Sequence, residues 1–173
     1  MRSLALCVAA TLLAACSSGS SDEGTTITSA PLSTMVVANA TVERVVDGDT
    51  IVVVIDGQRE TVRLIGIDTP ETVKPNTPVE CFGPEASART KELLPRGTPV
   101  RLERDAEARD DYGRLLAYVR RAQDAMFVNL VLVEEGNAGL LTFPPNTAHT
   151  EEFVAAASAA ERAGLGLWSA CDS

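Results

Sequence analysis

Two aspartates occupy positions at which a hairpin would bring their carboxylates together. Asp49 precedes the apolar run "TIVVVID", and Asp68 follows the run "ETVRLIGI". The turn dipeptide Asp56-Gly57 joins these runs and predicts an antiparallel pair whose open end holds both aspartates. Two neighbouring carboxylates repel each other, so such a pair commonly binds a cation or shares a proton.

The ligands available to such a cation are oxygen atoms, because no histidine or cysteine is near either aspartate in the sequence. Oxygen ligands favour a hard ion, Ca²⁺ or Mg²⁺. Two carboxylates make a sparse cage for Ca²⁺, which takes about 6–8 oxygens, so we expect weak binding of roughly 10⁻⁴–10⁻³ M. Each aspartate alone also has a structural explanation, turn formation for Asp49 and capping before Thr69-Pro70 for Asp68.

A glutamate and two arginines complete the candidate site. Pro70 restricts the backbone before Glu71, which could hold that carboxylate beside the ion as a general base for water. Arg63 interrupts an apolar strand and Arg114 begins another, and guanidinium groups bind phosphate oxygens in pairs. The alternatives are a solvated loop glutamate and arginines on the outer face of a half-buried sheet. Together, an ion, a base and two phosphate ligands indicate a metal-assisted phosphodiesterase.

The elements that must position these residues are short strands and a few helices. Alternating apolar residues predict five strands, and a proline-rich loop separates the third strand from the first helix. Proline near the start of that helix and glycine at the ends of the later helices suit their positions. The predicted strands cover residues 39–46, 50–56, 60–67, 99–105 and 114–121, and the predicted helices cover residues 84–94, 127–136 and 150–163.

This order of elements predicts an α+β fold. Three strands, a helix, two strands and further helices are compatible with a five-stranded β-barrel of the OB-fold type. Other small α+β folds have a similar order of elements, so the pattern alone leaves them open.

Several separated blocks of sequence resemble one known family. The blocks "VVDGDTIVV", "VRLIGIDTPET", "FGPEAS", "DDYGRLLAYV", "MFVNLVLVEEGNA" and "LGLW" are similar in order and spacing to the staphylococcal nucleases. The resemblance covers about residues 39–168, essentially the whole predicted folded region. It implies an OB-fold barrel with three helices and Ca²⁺-dependent cleavage of DNA and RNA. It also implies attack of water on phosphorus with release of the 5′-oxygen, which leaves 3′-phosphate ends.

The resemblance implies a calcium site at the two aspartates. The block "DGDT" makes Asp49 a ligand and places Asp47 close behind it, outside the ligand set. The block "RLIGIDTPE" makes Asp68 a ligand through its carboxylate and Thr69 a ligand through its backbone carbonyl.

The resemblance also implies roles for the remaining polar residues. Arg63 and Arg114 would be the catalytic clamps on the phosphate, and Glu71 would be the general base. The block "DYGR" makes Tyr112 a contact to the nucleotide.

Charge and two departures from the family pattern predict weak binding of long nucleic acid. The net charge is -9, a sign that disfavours a simple phosphate-binding surface. Asp111 stands where relatives often have a basic residue, and Leu141 stands where they often have an aromatic that stacks on a base. Loss of one stacking contact could cost about 1–3 kcal/mol.

The N-terminus has the pattern of a bacterial export signal. Residues 1–15 combine an early arginine with an apolar run that is too short for a permanent membrane span. The stretch "LLAAC" resembles a lipobox and predicts lipidation of Cys16, whereas the alternative is an ordinary signal cleaved near Ala15. Residues 16–35 are rich in Ser, Thr and Gly and predict a flexible tether, so residues 36–173 form the predicted nuclease domain.

Two cysteines remain for the folded domain. Cys81 and Cys171 are predicted to form a disulfide, because export would place them in an oxidising compartment. Two buried free thiols are the alternative. The pair also resembles the disulfide of exported relatives. His149 is interpreted as structural, and Trp168 as a packing residue that pins the tail.

These features predict an exported Ca²⁺-dependent nuclease with DNA and RNA as substrates. We expect a monomer that is anchored outside the cell membrane only by its N-terminal lipid, or else secreted. The main alternative is a catalytically inactive OB module that binds nucleic acid or a protein partner. A calcium-stabilised structural domain is a further alternative, but it leaves Glu71 and both arginines unexplained.

Overall fold

The structure is a computed structural model that describes residues 35–73 and 78–171. The predicted signal segment, Cys16 and the tether up to residue 34 lie outside these described residues. Within the described part of the chain, no helix has the length and apolar character needed to cross a membrane.

Apolar runs in the strands build a closed barrel around one core. In chain order the elements are β1 (Ala40–Asp47), β2 (Thr50–Ile55), β3 (Gln58–Leu64), β4 (Gly66–Asp68), α1 (Gly83–Leu93), β5 (Pro99–Glu103), β6 (Leu115–Arg121), α2 (Val128–Glu134), β7 (Gly139–Leu141), α3 (Thr150–Ala163) and α4 (Leu167–Ala170). Neighbouring strands join in the order β1-β2-β3-β6-β5, and β1 pairs with β5 to close the barrel. The β3–β6 pair is parallel and the other pairs of the barrel are antiparallel. The predicted α+β class with a five-stranded OB-type barrel is confirmed.

The predicted third strand is divided in two, which the sequence analysis did not anticipate. β3 ends at Leu64, and β4 forms a separate two-stranded sheet with β7, an element that was not predicted. Gly66 at the break has φ +83°, and a Cβ there would lie 2.3 Å from the ring of Phe153. Glycine is therefore required for both the backbone conformation and the packing of α3 against this turn.

The helices cover the barrel with their apolar faces. Phe153 of α3 and Leu132 of α2 are fully buried, as are the barrel residues Ile51 and Val53. The predicted helices are confirmed with ends shifted by one or two residues, and the single-turn α4 near the C-terminus was not predicted. Thr90 of α1 donates a hydrogen bond of 2.6 Å to the carbonyl of Gly48, so α1 is joined to the β1–β2 turn.

Two residues assigned structural roles lie in packed surroundings. The His149 ring lies 4.5 Å from the Tyr118 ring and 4.9 Å from the Phe127 ring, centroid to centroid, in an edge arrangement. Trp168 lies in α4, whose first residue Leu167 donates a backbone hydrogen bond of 2.9 Å to Gly136. His149 is therefore packed among rings of the fold, and Trp168 is half-buried in a segment that is hydrogen-bonded to Gly136.

Candidate active site

A cleft of about 880 Å³ brings together the residues that the sequence analysis selected. It lies where the open end of the β2–β3 hairpin meets the β4–β7 sheet and the turn before β6. The predicted site residues that line it are Asp47, Asp49, Arg63, Asp68, Thr69, Glu71, Tyr112 and Arg114. The tertiary structure thus collects residues separated by up to 67 positions at one surface.

Asp49 and Asp68 are joined by a shared arginine. The Arg63 Nη2 atom lies 3.1 Å from Asp49 Oδ2 and 2.8 Å from Asp68 Oδ1. The Asp49 side chain is 10% exposed, whereas the Asp68 side chain is 56% exposed. One carboxylate is therefore fixed inside the cleft wall, and the other is open to solvent or a ligand.

The reason for this proximity differs from the predicted one. Strand pairing places Asp49 against Leu64, whose N–H donates a hydrogen bond of 2.8 Å to the Asp49 carbonyl. Asp68 lies four residues further on, in β4. The break at Gly66 and the bridging guanidinium of Arg63, not the hairpin register alone, bring the two carboxylates together.

Asp49 accepts hydrogen bonds from Thr50, which begins β2, and from Thr69, which follows β4. Its Oδ2 accepts hydrogen bonds from the Thr69 N–H at 3.0 Å and the Thr69 hydroxyl at 3.1 Å. Its Oδ1 accepts a hydrogen bond from the Thr50 hydroxyl at 2.9 Å. A Cβ at Gly48 would lie 2.6 Å from the Thr69 hydroxyl oxygen, so this glycine is needed for the close approach of Thr69.

The surroundings of Asp68 disfavour the ionised form of its carboxyl group. Burial raises the pKa of its carboxyl, the Arg63 charge opposes that shift, and the negative charges of Asp49 and Glu80 add to it. The net effect is a pKa above the ordinary value, so Arg63 alone does not compensate the ionised form.

Arg63 is an internal residue of the cleft wall, not an outward charge. Its side chain is 12% exposed. Its Nη1 donates hydrogen bonds to the carbonyls of Leu64 and, at 2.8 Å, Ile67. The backbone between β3 and β4 thus orients the guanidinium toward both aspartates.

Glu71 is half-buried and tied to its own loop. Its Oε1 accepts a hydrogen bond of 2.8 Å from the Val73 N–H. Its N–H donates to Glu80 Oε2 at 2.9 Å, and the Glu80 N–H donates to the Glu71 carbonyl at 2.9 Å. The Glu71 side chain therefore has a hydrogen bond within its own loop.

Asp47 supports the segment that carries Glu71. This buried aspartate accepts hydrogen bonds from the Thr72 hydroxyl at 2.6 Å and the Thr72 N–H at 3.2 Å. A third bond of 2.9 Å comes from the Gly48 N–H. Its contacts are with the turn and with the residue after Glu71.

The turn before β6 places Arg114 and Tyr112 on the cleft. Asp110 accepts hydrogen bonds from the Arg114 Nε at 2.6 Å and from its N–H at 2.9 Å. The Arg114 guanidinium carbon lies 5.5 Å from the centroid of the Tyr112 ring, within cation–π range. Tyr112 itself is 86% exposed. The guanidinium is therefore oriented by Asp110, a residue that the sequence analysis did not select although its spacing of four from Arg114 signals such a turn.

A second exposed aromatic on the cleft was also missed. Leu141 of β7 lines the cleft, as predicted for that position, and Phe143 two residues later lines it as well. Phe143 is 67% exposed. The only sequence signal was an aromatic beside the segment already identified, in "LLTFPP".

The cleft is rich in carboxylates. Besides Arg63 and Arg114 it is lined by the acidic residues Asp47, Asp49, Asp68, Glu71, Glu80, Glu107, Asp110 and Asp111. Across the described residues, no cluster of three or more His, Cys, Asp or Glu side chains has an arrangement suited to a metal ion. The two carboxylates predicted to bind a cation, those of Asp49 and Asp68, both contact Arg63.

The predicted disulfide is present at one end of the loop that carries Glu71. Cys81 and Cys171 are bonded, with their Cα atoms 5.8 Å apart and 90 positions apart in sequence. The alternative of two free thiols is thereby excluded. The bond joins the residue after Glu80 to the end of α4.

The barrel and cleft define an OB-fold protein with an acidic cleft that also contains two arginines. Comparisons with known proteins identify its family. The sequence model of the family described as staphylococcal nuclease homologue matches residues 61–170. The chain is 50% identical over 127 residues to a thermonuclease of Staphylococcus intermedius, covering 73% of this chain and 74% of the relative.

Two further relatives agree with this result. A thermonuclease of Staphylococcus hyicus is 47% identical over 126 residues, covering 73% of each chain. Endonuclease YncB of Bacillus subtilis is 43% identical over 133 residues, covering 76% of this chain and 62% of the relative. The chain therefore belongs to the staphylococcal nuclease family.

Proposed function

We propose that this protein is a calcium-dependent endonuclease that hydrolyses phosphodiester bonds of DNA and RNA and leaves 3′-phosphate ends. The observation that carries the proposal is the Asp49–Arg63–Asp68 arrangement, with Glu71 and Arg114 on the same cleft. Family membership and relatives named thermonuclease and endonuclease support nucleic acid as the substrate.

The donor atoms of the cleft fit a hard divalent cation. Asp49 and Asp68 offer carboxylate oxygens, and the Thr69 backbone carbonyl is the further ligand that we propose. Burial raises the pKa of Asp68, and the nearby charges of Asp49 and Glu80 add to that shift, so a bound cation would favour the ionised carboxylate. Bound calcium would polarise the phosphate and stabilise the charge that develops on its oxygens.

Glu71 is the proposed general base. Its carboxylate is attached to a loop whose two ends are hydrogen-bonded to each other and whose next residue is anchored by Asp47. A base held in place in this way can accept the proton of a water molecule as that water attacks phosphorus.

Arg63 and Arg114 are the proposed ligands of the phosphate. Asp110 orients Arg114 through a hydrogen bond at Nε. Within the described residues, no hydrogen bond occupies the two terminal nitrogens of Arg114, so they are available to phosphate oxygens. Arg63 lies between the two aspartates. Two guanidinium groups can together stabilise the negative charge of the pentacoordinate transition state. Tyr112 beside Arg114 is the proposed contact to the nucleotide.

The decisive experiment is digestion of denatured DNA and of RNA by the purified protein, with calcium and with chelator. We expect cleavage that requires calcium, and fragments whose 3′ ends accept ligation or extension only after phosphatase treatment. Binding of nucleic acid without cleavage over a broad pH range would identify a catalytically inactive OB module instead. Fragments with free 3′-hydroxyl ends would refute the proposed bond specificity alone.

We also propose that the chain is exported and anchored through a lipid on Cys16, which becomes its N-terminus. The Cys81–Cys171 disulfide supports an oxidising compartment, and the lipobox-like stretch supports the anchor. Mass analysis of the protein from a bacterial host should show a lipid-modified N-terminal cysteine. An unmodified terminus, or cleavage at another residue, would refute the anchor and leave simple secretion.

A further inference from the structure

We propose that Glu80 is a positioning residue for Glu71, and that the Cys81–Cys171 disulfide holds Glu80 in place by tying it to the C-terminal α4. The inference rests on the proposed role of Glu71 for its effect on catalysis. The geometry that it invokes is independent of that role.

The contact between the two glutamates is reciprocal. Glu80 Oε2 accepts a hydrogen bond of 2.9 Å from the Glu71 N–H, and the Glu80 N–H donates one of 2.9 Å to the Glu71 carbonyl. These two bonds join the first and last residues of a ten-residue segment that begins at Glu71. The backbone of Glu71 is therefore fixed from one side by a side chain that no function yet explains.

The disulfide connects this contact to a rigid part of the fold. Cys81 follows Glu80 directly and is bonded to Cys171. The Cys171 N–H donates a hydrogen bond of 3.1 Å to Leu167, and Leu167 in turn donates to Gly136 after α2. A Cβ at Gly136 would lie 2.2 Å from the backbone of Leu165, so the tail is closely packed against this corner.

The start of α1 packs closely against the backbone of Pro70 and Glu71. A Cβ at Gly83 would lie 3.1 Å from the Pro70 carbonyl and 3.2 Å from the Glu71 carbonyl. The backbone at Glu71 thus meets Glu80 and the first turn of α1 together. Asp47, through Thr72, anchors the other side of Glu71.

Two substitutions separate the hydrogen bond from the charge. Glu80→Gln keeps a side-chain oxygen that can accept the Glu71 N–H, whereas Glu80→Ala removes it. In Glu80→Ala we expect kcat to fall about 10- to 100-fold with KM within about twofold, because displacement of a catalytic group by about 1 Å costs a factor of that size. Glu80→Gln should retain most of the activity. Glu134→Ala removes an exposed carboxylate from α2 and is the matched control, expected to act like wild type.

A direct measurement does not depend on activity. Amide hydrogen exchange of Glu71, followed by NMR in the calcium-free protein, should be slow in wild type and Glu80→Gln and fast in Glu80→Ala. Unchanged protection in Glu80→Ala would overturn the proposal, whatever the nuclease assay shows. Absence of cleavage by wild type, with protection behaving as expected, would refute the proposed function and leave this inference standing.

A double substitution tests whether Glu80 acts through Glu71. The Glu71→Gln, Glu80→Ala protein should be no slower than Glu71→Gln alone, because a positioning residue has no effect once its target is lost. A further loss of kcat would show that Glu80 contacts the substrate or the ion itself, which contradicts a positioning role.

The disulfide is tested with Cys171→Ser under conditions where the variant remains folded by circular dichroism. We expect faster exchange of the Glu71 amide and a lower kcat, in the same direction as Glu80→Ala. In the Glu80→Ala background, Cys171→Ser should change both quantities less than it does in wild type, because only the backbone bond between positions 80 and 71 remains to be loosened. Wild-type exchange and kcat in Cys171→Ser would overturn the part assigned to the disulfide.

Discussion

The cleft contains two groups of side chains that the fold holds very differently. The acidic group, Asp49, Arg63, Asp68 and Glu71, is fixed by hydrogen bonds to the backbone and to neighbouring side chains. In the aromatic group, Tyr112, Arg114 and Phe143, the arginine has a carboxylate partner but both rings are largely exposed. We propose that the acidic group carries out the chemical step and that the two exposed rings contact the polymer.

The negative charge of the cleft gives the exposed rings a larger part in substrate binding. Its carboxylates outnumber its two arginines, so the free protein should attract long nucleic acid weakly. Exposed aromatic rings contribute stacking that does not depend on charge. We therefore expect substrate affinity to come largely from the rings of Tyr112 and Phe143, and catalytic rate from the acidic group together with Arg114.

The largest expected effect is at Glu71. Glu71→Gln should lower kcat by about 10²–10⁴-fold, the usual contribution of a general base, because the amide cannot accept a proton from water. Calcium affinity, measured by isothermal titration, should change little. Equal losses of kcat and calcium affinity would identify Glu71 as a ligand and contradict its assignment as the base.

The two arginines allow a direct comparison of the groups. Arg63→Ala and Arg114→Ala should each lower kcat by about 10²–10³-fold, as loss of a group that stabilises transition-state charge does. Only Arg63→Ala should strongly reduce stability, by about 3 kcal/mol, because it leaves a buried carboxylate unpaired. Arg114→Ala removes a partly exposed pair worth at most about 1 kcal/mol.

Denaturant unfolding at neutral pH measures this difference in stability. Arg59→Ala is the control, since its ion pair with Glu43 involves an arginine side chain that is 75% exposed. Equal destabilisation by Arg63→Ala and Arg114→Ala would remove the distinction between a fixed and an adaptable group.

Tyr112 should affect binding and not chemistry. Tyr112→Ala is expected to raise KM about 5- to 150-fold, which corresponds to about 1–3 kcal/mol of base stacking, while kcat and the unfolding midpoint stay near wild type. Steady-state kinetics on single-stranded DNA at two salt concentrations check this. A fall in kcat with unchanged KM would place Tyr112 with the acidic group.

The smallest expected effect is on the thermal stability of the calcium-free protein when Asp68 is replaced, and this effect depends on pH. The folded-state pKa of Asp68 lies above its ordinary value of 3.8, so the ionised form disfavours folding, and this penalty is lost as pH falls from the raised value toward 3.8. In chelator at neutral pH, Asp68→Asn should therefore raise the unfolding midpoint, by about 1–3 °C, because the half-exposed charge is screened.

Calorimetry at neutral pH and near pH 3.8 tests this. The difference between Asp68→Asn and wild type should shrink at the lower pH. In calcium the order should reverse, since the variant loses a proposed ligand and with it the stabilisation by bound ion. A lower midpoint for Asp68→Asn in chelator at neutral pH would show that the Arg63 pair outweighs the burial penalty.

Much of the fold and most of the candidate site could be predicted from patterns along the chain. Short apolar runs bounded by turn residues define the barrel strands; the runs alternate with polar residues in β5 and are continuous in β2 and β6. Asp49, Arg63, Asp68 and Arg114 stand out because charged residues interrupt or end those apolar runs. All of the predicted catalytic, metal-binding and substrate-binding residues line the same cleft.

Other features could not be read from local patterns. The break of the third strand at Gly66 follows from the close approach of Phe153, a residue 87 positions away. Glu80 was not selected from the sequence, and its contact with Glu71 is visible only when the chain is folded. Phe143 carried no signal beyond its residue type.

The sequence by itself determined which residues could bind a hard cation, activate water and hold a phosphate, because those abilities belong to side-chain types and their place at strand ends. Only the tertiary structure decided how they meet. Arg63 bridges Asp49 and Asp68, and Asp47 and Glu80 fix the segment of Glu71 from two sides. These contacts join residues from 5 to 25 positions apart along the chain, and a hydrogen bond depends on distances that only folding sets.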